Sequence, residues 1–182
     1  MRNKMEGRRK IGIYGGSFNP VHLGHVGIAR RAIAELGLDR LYVIPAKASP
    51  FKIGVVPVLP DRDRLELVRQ AFSDMPECEV SDIELRRGGV SYAIDTVREL
   101  IAGCPDAEWY FIIGEDSVAG LPRWKNWEEL KRLCRFTAYP RTVQSSTEIR
   151  RRIETGEPIA DMVPPEVERY FSERGMCNGR TV

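Results

Sequence analysis

The chain has 182 residues, 42% apolar and 30% charged, which suits one soluble globular domain with a sizeable core. Its 28 Lys and Arg against 26 Asp and Glu leave a net charge of +2, too small an excess to point to nucleic acid. No apolar run approaches the roughly 20 residues that span a bilayer, so a membrane partner is not expected either. Residues 1–9 are short and charged with no apolar stretch after them. They read as a disordered leader and not as a signal peptide, which places the chain in the cytoplasm. Cys78, Cys104, Cys134 and Cys177 contain no CxxC pair, so a zinc ribbon and a thioredoxin motif are both excluded. In a reducing compartment they read as free thiols.

In chain order, residues 11–14 read as a short buried strand that ends in Gly15-Gly16-Ser17-Phe18. A helix over 25–36 follows, with Val26, Ala29, Ile33 and Leu36 on one face, Arg30, Arg31 and Glu35 opposite, and Gly37 as C-cap. Residues 41–44 form a second strand stopped by Pro45, and 46–59 a loop. Pro60-Asp61-Arg62-Asp63 opens a second helix that runs to Phe72. A third strand is expected over 79–85 and a third helix over 91–101, between Gly88-Gly89 and Gly103. A fourth strand over 109–113 ends in Gly114-Glu115-Asp116-Ser117. Then come a short helix at 127–133, a fifth strand at 135–139, and helices at 146–154 and 164–174. Residues 175–182 are expected to be a loose tail. The alternation predicts a single α/β domain over 10–174: a Rossmann-like, doubly wound parallel sheet of about five strands with helices on both faces. Ligands in such folds bind beyond the carboxyl ends of the strands. The segments richest in glycine and polar residues follow those ends.

Two standard phosphate motifs are absent. A GxGxxG fingerprint would need glycine where Tyr14 stands, and no GxxxxGK[ST] occurs. What remains is the histidine distribution. The chain has only two, His22 and His25, three residues apart at a predicted helix start behind a glycine turn. The first N–H groups of a helix receive phosphate, and two imidazoles on one face add donors and positive charge. Taken alone, His22 is equally a structural cap near an exposed helix start. Gly24 between the rings keeps side chains away from a phosphate there. Farther on, Ser145-Ser146-Thr147-Glu148 reads as a capping box, with Arg150 one turn in, within reach of phosphates gathered at that N-terminus. No serine lies in a GxSxG elbow, and no metal-ligand set is seen.

The string Gly15-Gly16-Ser17-Phe18-Asn19-Pro20-Val21-His22-Leu23-Gly24-His25 resembles the signature of the (H/T)xGH nucleotidyltransferase superfamily. Ser145-Ser146-Thr147-Glu148-Ile149-Arg150 resembles the SSTxIR motif of the same superfamily. Ser91-Tyr92-Ala93-Ile94-Asp95-Thr96, Phe111-Ile112-Ile113-Gly114-Glu115-Asp116-Ser117 and Leu121-Pro122-Arg123-Trp124-Lys125-Asn126-Trp127 resemble the bacterial nicotinate-nucleotide adenylyltransferases within it. The resemblance implies adenylyl transfer from ATP to nicotinate mononucleotide, with Mg²⁺ carried on the ATP phosphates. It implies His22, His25 and Arg150 as catalytic residues. Gly15, Gly16, Ser17, Phe18, His25, Gly114, Asp116, Ser145, Ser146, Thr147 and Arg150 would meet ATP. Ser17, Phe18, Lys52, Tyr92, Ala93 and Trp124 would meet the mononucleotide, with Trp124 stacked on the pyridine ring and Trp127 left to the core.

Three departures from the family pattern stand out. Ala93 replaces a threonine that helps hold the nicotinate carboxylate. Ser49-Pro50-Phe51-Lys52 replaces a loop with histidine before the lysine. Only Thr142-Val143-Gln144 separates Tyr139-Pro140-Arg141 from the Ser145 motif, where the family has a longer segment with another strand, so a sheet edge is expected to lie open. The first motif is shared with pantetheine-phosphate and polyol-phosphate transferases, which are the alternative acceptors. A nucleotide-binding sensor on the same fold is the rival without turnover, and self-association is left open.

Overall fold

The computed structural model describes residues 7–51, 57–140 and 142–176. Five parallel strands form one sheet in the order β3-β2-β1-β4-β5. They are β1 (Lys10–Gly16), β2 (Arg40–Pro45), β3 (Cys78–Val80), β4 (Glu108–Gly114) and β5 (Arg135–Tyr139). β1 is central, with Ile13 opposite Tyr42 of β2 on one side and Phe111 of β4 on the other. Successive side chains of a strand face opposite ways, so each strand feeds two cores. Tyr14, Leu41, Val43, Tyr110 and Ile112 pack under α1 (Leu23–Leu36), α2 (Asp61–Ala71), α6 (Ser146–Thr155) and α7 (Pro165–Glu173). Ile11, Ile13, Ile44, Trp109, Phe111 and Ile113 pack under α3 (Ile83–Arg87), α4 (Ala93–Gly103) and α5 (Trp127–Leu133).

The chain leaves β1 toward β2 and β3, then returns to place β4 on β1's other side. The strand order therefore reverses between β1 and β4, and the carboxyl ends of these two strands open the crevice where such folds hold ligands.

Several expected elements differ in extent. Where a strand was expected over 79–85, β3 covers only Cys78–Val80. The rest turns into α3, with acidic Glu84 in its first turn, Arg86 and Arg87 in its last, and Gly88 at φ 72° closing it. A period-two pattern over so few residues does not separate an edge strand from one helical turn. α4 starts at Ala93 and not at Ser91, because Ser91 is bonded elsewhere: its N–H donates to the Ala48 carbonyl, and its Oγ accepts from the Lys47 N–H. Residues 115–123, expected as a loop, form a 3₁₀ helix (Glu115–Arg123). At the chain's start, the Arg9 carbonyl accepts from Glu108 N–H at 2.7 Å, so the end of the expected leader belongs to the sheet. At the other end, Gly175 and Met176 return N–H bonds to Ser172 and Phe171 and close α7, so the loose tail does not begin at 175. Residues 1–6 and 177–182 lie outside the described residues. β5 is the last strand on its side of the sheet, and three residues on from Thr142 the chain enters the cap of α6.

Candidate functional site

A cleft of about 790 Å³ opens at the strand ends. A second lobe of about 600 Å³ adjoins it, and the two share Gly15, Gly16 and Ser17 as common wall. Both volumes fall in the range of small-molecule sites. The first lobe gathers His22, His25, Gly114, Asp116, Ser145, Ser146, Thr147 and Arg150. The second gathers Ala93 and Trp124, and Tyr92 borders both. Segments more than a hundred residues apart in sequence thus meet in one crevice.

α1 begins at Leu23, two residues earlier than expected, which makes His22 the N-cap and His25 the third helical residue. The backbone N–H of His22 donates to His25 Nδ1 at 3.1 Å. An accepting Nδ1 keeps its lone pair, so the His25 proton sits on Nε2. The two rings stack with centroids 3.6 Å apart, inclined by 26°. His22 is 7% exposed, not open as expected, because the ring fits between His25 and Gly24.

Gly24 also has a packing reason. A Cβ there would lie 2.1 Å from Thr142 Oγ1 and 3.0 Å from His22 Nδ1. The glycine admits the short 142–144 connection and the imidazole, and it lines the first lobe. The Phe18 ring is 1% exposed at φ 42°, inside the first core, with an edge-on contact to His25 at 4.9 Å, which leaves its backbone, between the lining residues Ser17 and Asn19, as the part near the first lobe. It supports His25 from behind. Asp116 Oδ1 comes within 2.5 Å of where a Cβ on Gly114 would be, so a side chain there would have to displace the Asp116 carboxylate. Burial, with the Asp116 charge adding to it, pushes the Tyr14 hydroxyl upward and keeps it protonated.

α6 is pinned to the histidine loop. Ser146 Oγ donates to the Pro20 carbonyl at 3.1 Å, and Arg150 Nη1 donates to the Asn19 carbonyl at 2.8 Å. Arg150 Nη2 meets Thr147 Oγ1 at 3.2 Å. Ser145 Oγ caps the helix by accepting from Glu148 N–H. The expected reciprocal half of a capping box is replaced: the Glu148 carboxylate takes Arg151 and Arg152, whose hydrogen bonds hold it down at about 2.

In the second lobe, Trp124 is braced edge-on by Phe111 at 5.6 Å and Phe136 at 6.1 Å. Trp127 packs on Phe136 in the core, as expected. Lys52 lies outside the described residues.

One residue escaped the sequence reading. Arg64 is 1% exposed and lines the first lobe from α2. Its Nη1 donates to the Ser17 carbonyl at 2.8 Å and its Nη2 to Asp61 Oδ1 at 2.7 Å. Burial would raise the Asp61 carboxyl, but hydrogen bonds from Lys47 and Arg64 hold it below its ordinary value. The signal was present in the chain: Arg64 stands with Leu67, Val68 and Ala71 on the buried stripe of α2, where an arginine needs a reason. Among the described residues, no group of three or more His, Cys, Asp or Glu is placed to hold a metal ion, and no helix is long and apolar enough to cross a membrane.

A parallel sheet that brings a stacked histidine pair and a pinned helix N-terminus to its switch point defines a nucleotide-handling α/β protein. The sequence model of the family described as Cytidylyltransferase-like matches residues 13–159. A protein from Synechococcus sp. (strain JA-3-3Ab), named "Probable nicotinate-nucleotide adenylyltransferase", is 37% identical over 194 aligned positions, covering 91% of this chain and 93% of its own. A relative of the same name from Shouchella clausii (strain KSM-K16) is 38% identical over 186 positions, covering 92% and 96%. Both alignments run longer than the 182-residue chain, so this chain has deletions against each. A solved structure from Vibrio parahaemolyticus shares the fold with a TM-score of 0.77 at 24% identity, over 90% of this chain and 99% of that one. The chain belongs to the nicotinate-nucleotide adenylyltransferase family of the cytidylyltransferase-like proteins.

Proposed function

We infer that this protein transfers the adenylyl group of ATP to nicotinate mononucleotide, giving nicotinate adenine dinucleotide and pyrophosphate, a step of NAD synthesis. The observation that carries the reading is the two-lobed crevice. One lobe is built for phosphates by His22, His25, Arg150 and the α6 N-terminus, the other for an aromatic ring by Trp124, and they meet at Gly15–Ser17. Two substrates held there present an oxygen of the mononucleotide phosphate to the α-phosphorus of ATP. The new P–O bond forms as the bond to the bridging oxygen breaks, and pyrophosphate leaves with both electrons of that bond.

Such transfers need positioning and charge stabilisation more than covalent help. Nε2–H of His25 and the His22 ring take the transferring phosphate's oxygens. Arg150, with Ser145, Ser146 and Thr147 around the α6 N-terminus, holds the leaving pyrophosphate, and Lys52 is assigned to phosphate too. Gly114 and Asp116 receive the ATP ribose, and Tyr92 and Ala93 border the nicotinate ring. Mg²⁺ carried by ATP would neutralise triphosphate charge, on phosphates that Ser145, Ser146, Thr147 and Arg150 hold.

A pyrophosphate-release assay with ATP and a panel of phosphorylated acceptors tests the reading. Turnover is expected with nicotinate mononucleotide and more slowly with its amide, since α4 offers Ala93 where a hydroxyl would strengthen the choice of acid. Turnover confined to a pantetheine or polyol phosphate would replace the acceptor. ATP binding without turnover on any acceptor would make the protein a sensor.

A further inference from the structure

Phe51 is a large apolar side chain left 55% exposed on the wall of the second lobe. Its ring faces that of Trp124, with centroids 6.2 Å apart and planes inclined by 29°. The Trp124 wall is fixed by the edges of Phe111 and Phe136 and by its own N–H bond to the Leu121 carbonyl. The Phe51 wall is tethered by Lys47 and Ala48, both bonded to Ser91, and by its own N–H bond to Ser49 Oγ at 3.3 Å. Stacked carbons sit about 3.5 Å apart, so a flat ring between two others needs about 7 Å. The observed spacing is within an ångström of that. The exposed side chain is the wall free to yield it.

We propose that Phe51 and Trp124 form a two-sided aromatic clamp for the cationic pyridinium ring of the acceptor. The proposal rests on the acceptor being a pyridine mononucleotide, whose ring nitrogen, bonded to ribose, carries a positive charge. Arg123 and Lys125 line the same lobe, with one carboxylate, Glu84, which accepts a hydrogen bond from Thr96 Oγ1. Lys125 is drawn to Asp95 at 3.1 Å and to the Tyr92 ring at 4.5 Å. A cationic ring entering beside these groups needs negative surface close to its own face. Two π-faces supply it, and neither can become charged. Binding also buries the exposed Phe51 ring, which gives the clamp a hydrophobic component.

The test is calorimetric titration of the full-length protein with nicotinate mononucleotide, and separately with a non-hydrolysable ATP analogue. Phe51→Ala is expected to weaken the mononucleotide about three- to tenfold and leave the ATP analogue unchanged. Phe51→Leu, which keeps bulk but loses the π-face, is expected to resemble Ala, and Phe51→Tyr to stay within about twofold of the parent protein. Unchanged or tighter mononucleotide binding by Phe51→Ala would overturn the clamp, because the ring would then be a bystander or a plug, and the function would stand. Equal weakening of both ligands would also overturn it. If the unaltered protein binds the ATP analogue but no pyridine mononucleotide, the functional reading falls and the clamp with it.

Discussion

Burial changes what a substitution at His22 removes. A ring 7% exposed and stacked at 3.6 Å on His25 contributes to packing as well as to the phosphate site. His22→Ala is therefore expected to lower kcat about 10²–10³-fold and to lower stability in urea by about 1 kcal/mol. Near-normal turnover would remove His22 from the chemistry. Arg64 acts differently, through the Ser17 carbonyl that both lobes share. Arg64→Met should depress kcat/KM for both substrates and cost about 1–3 kcal/mol of stability, with Arg64→Lys recovering only part, since a single ammonium cannot bridge Ser17 and Asp61 as a guanidinium fork does. A loss confined to one substrate would contradict that role. Spacing made the histidine pair and the serine-threonine cap legible in the chain, while Trp124 was implied only by the resemblance. The side chains' directions were not legible. The Phe18 ring turns into the core, and Arg64, which the sequence reading passed over, turns inward from α2 to reach Ser17. Both depend on which way an element faces, and this is settled by packing between segments far apart in sequence.

At the scale of elements, the three-residue connection 142–144 sets the geometry of α1. Thr142 Oγ1 lies where a Cβ on Gly24 would go. Gly24→Ala is expected to push the connection outward, lower stability and cut kcat. Adding Thr142→Ala should restore part of both, because the closest contact goes while the one to His22 remains. Additive losses in the double variant, measured by urea midpoint and steady-state rate, would show that the two segments do not press on each other. α2 carries a pH signature. The Asp61 carboxyl lies below its ordinary value in the folded chain, so its contribution to stability is present above about pH 4 and lost as pH falls through the folded value. Asp61→Asn should lower stability at neutral pH and flatten the acid limb of a stability–pH profile, and an unchanged limb would exclude it. The parallel strands were readable as buried runs, and their ends moved by one or two residues. The edge was not readable, because the strand-like alternation of 79–85 covers two residues of β3 and the start of α3.

For the whole molecule, the reversal of strand order between β1 and β4 gives each substrate its own lobe and one shared wall. That separation has a kinetic consequence. Arg150 lines only the first lobe and Trp124 only the second. A charge-assisted contact to phosphate is worth about 1.5–3 kcal/mol, so Arg150→Ala is expected to raise the KM for ATP at least tenfold and leave that for the mononucleotide within about twofold. Trp124→Ala should do the reverse, by about five- to a hundredfold from a stacking contact of about 1–3 kcal/mol. Because the two side chains share no partner, their effects on kcat/KM should multiply in the double variant. Substrates that assemble in one undivided pocket would break that rule: each substitution would then move both KM values, and the double variant would lose less than the product. Initial-rate measurements with both substrates varied separate the two patterns. Arg150→Ala impairing only the mononucleotide would exchange the assignments of the lobes while keeping the crevice between β1 and β4 as the place where the substrates meet.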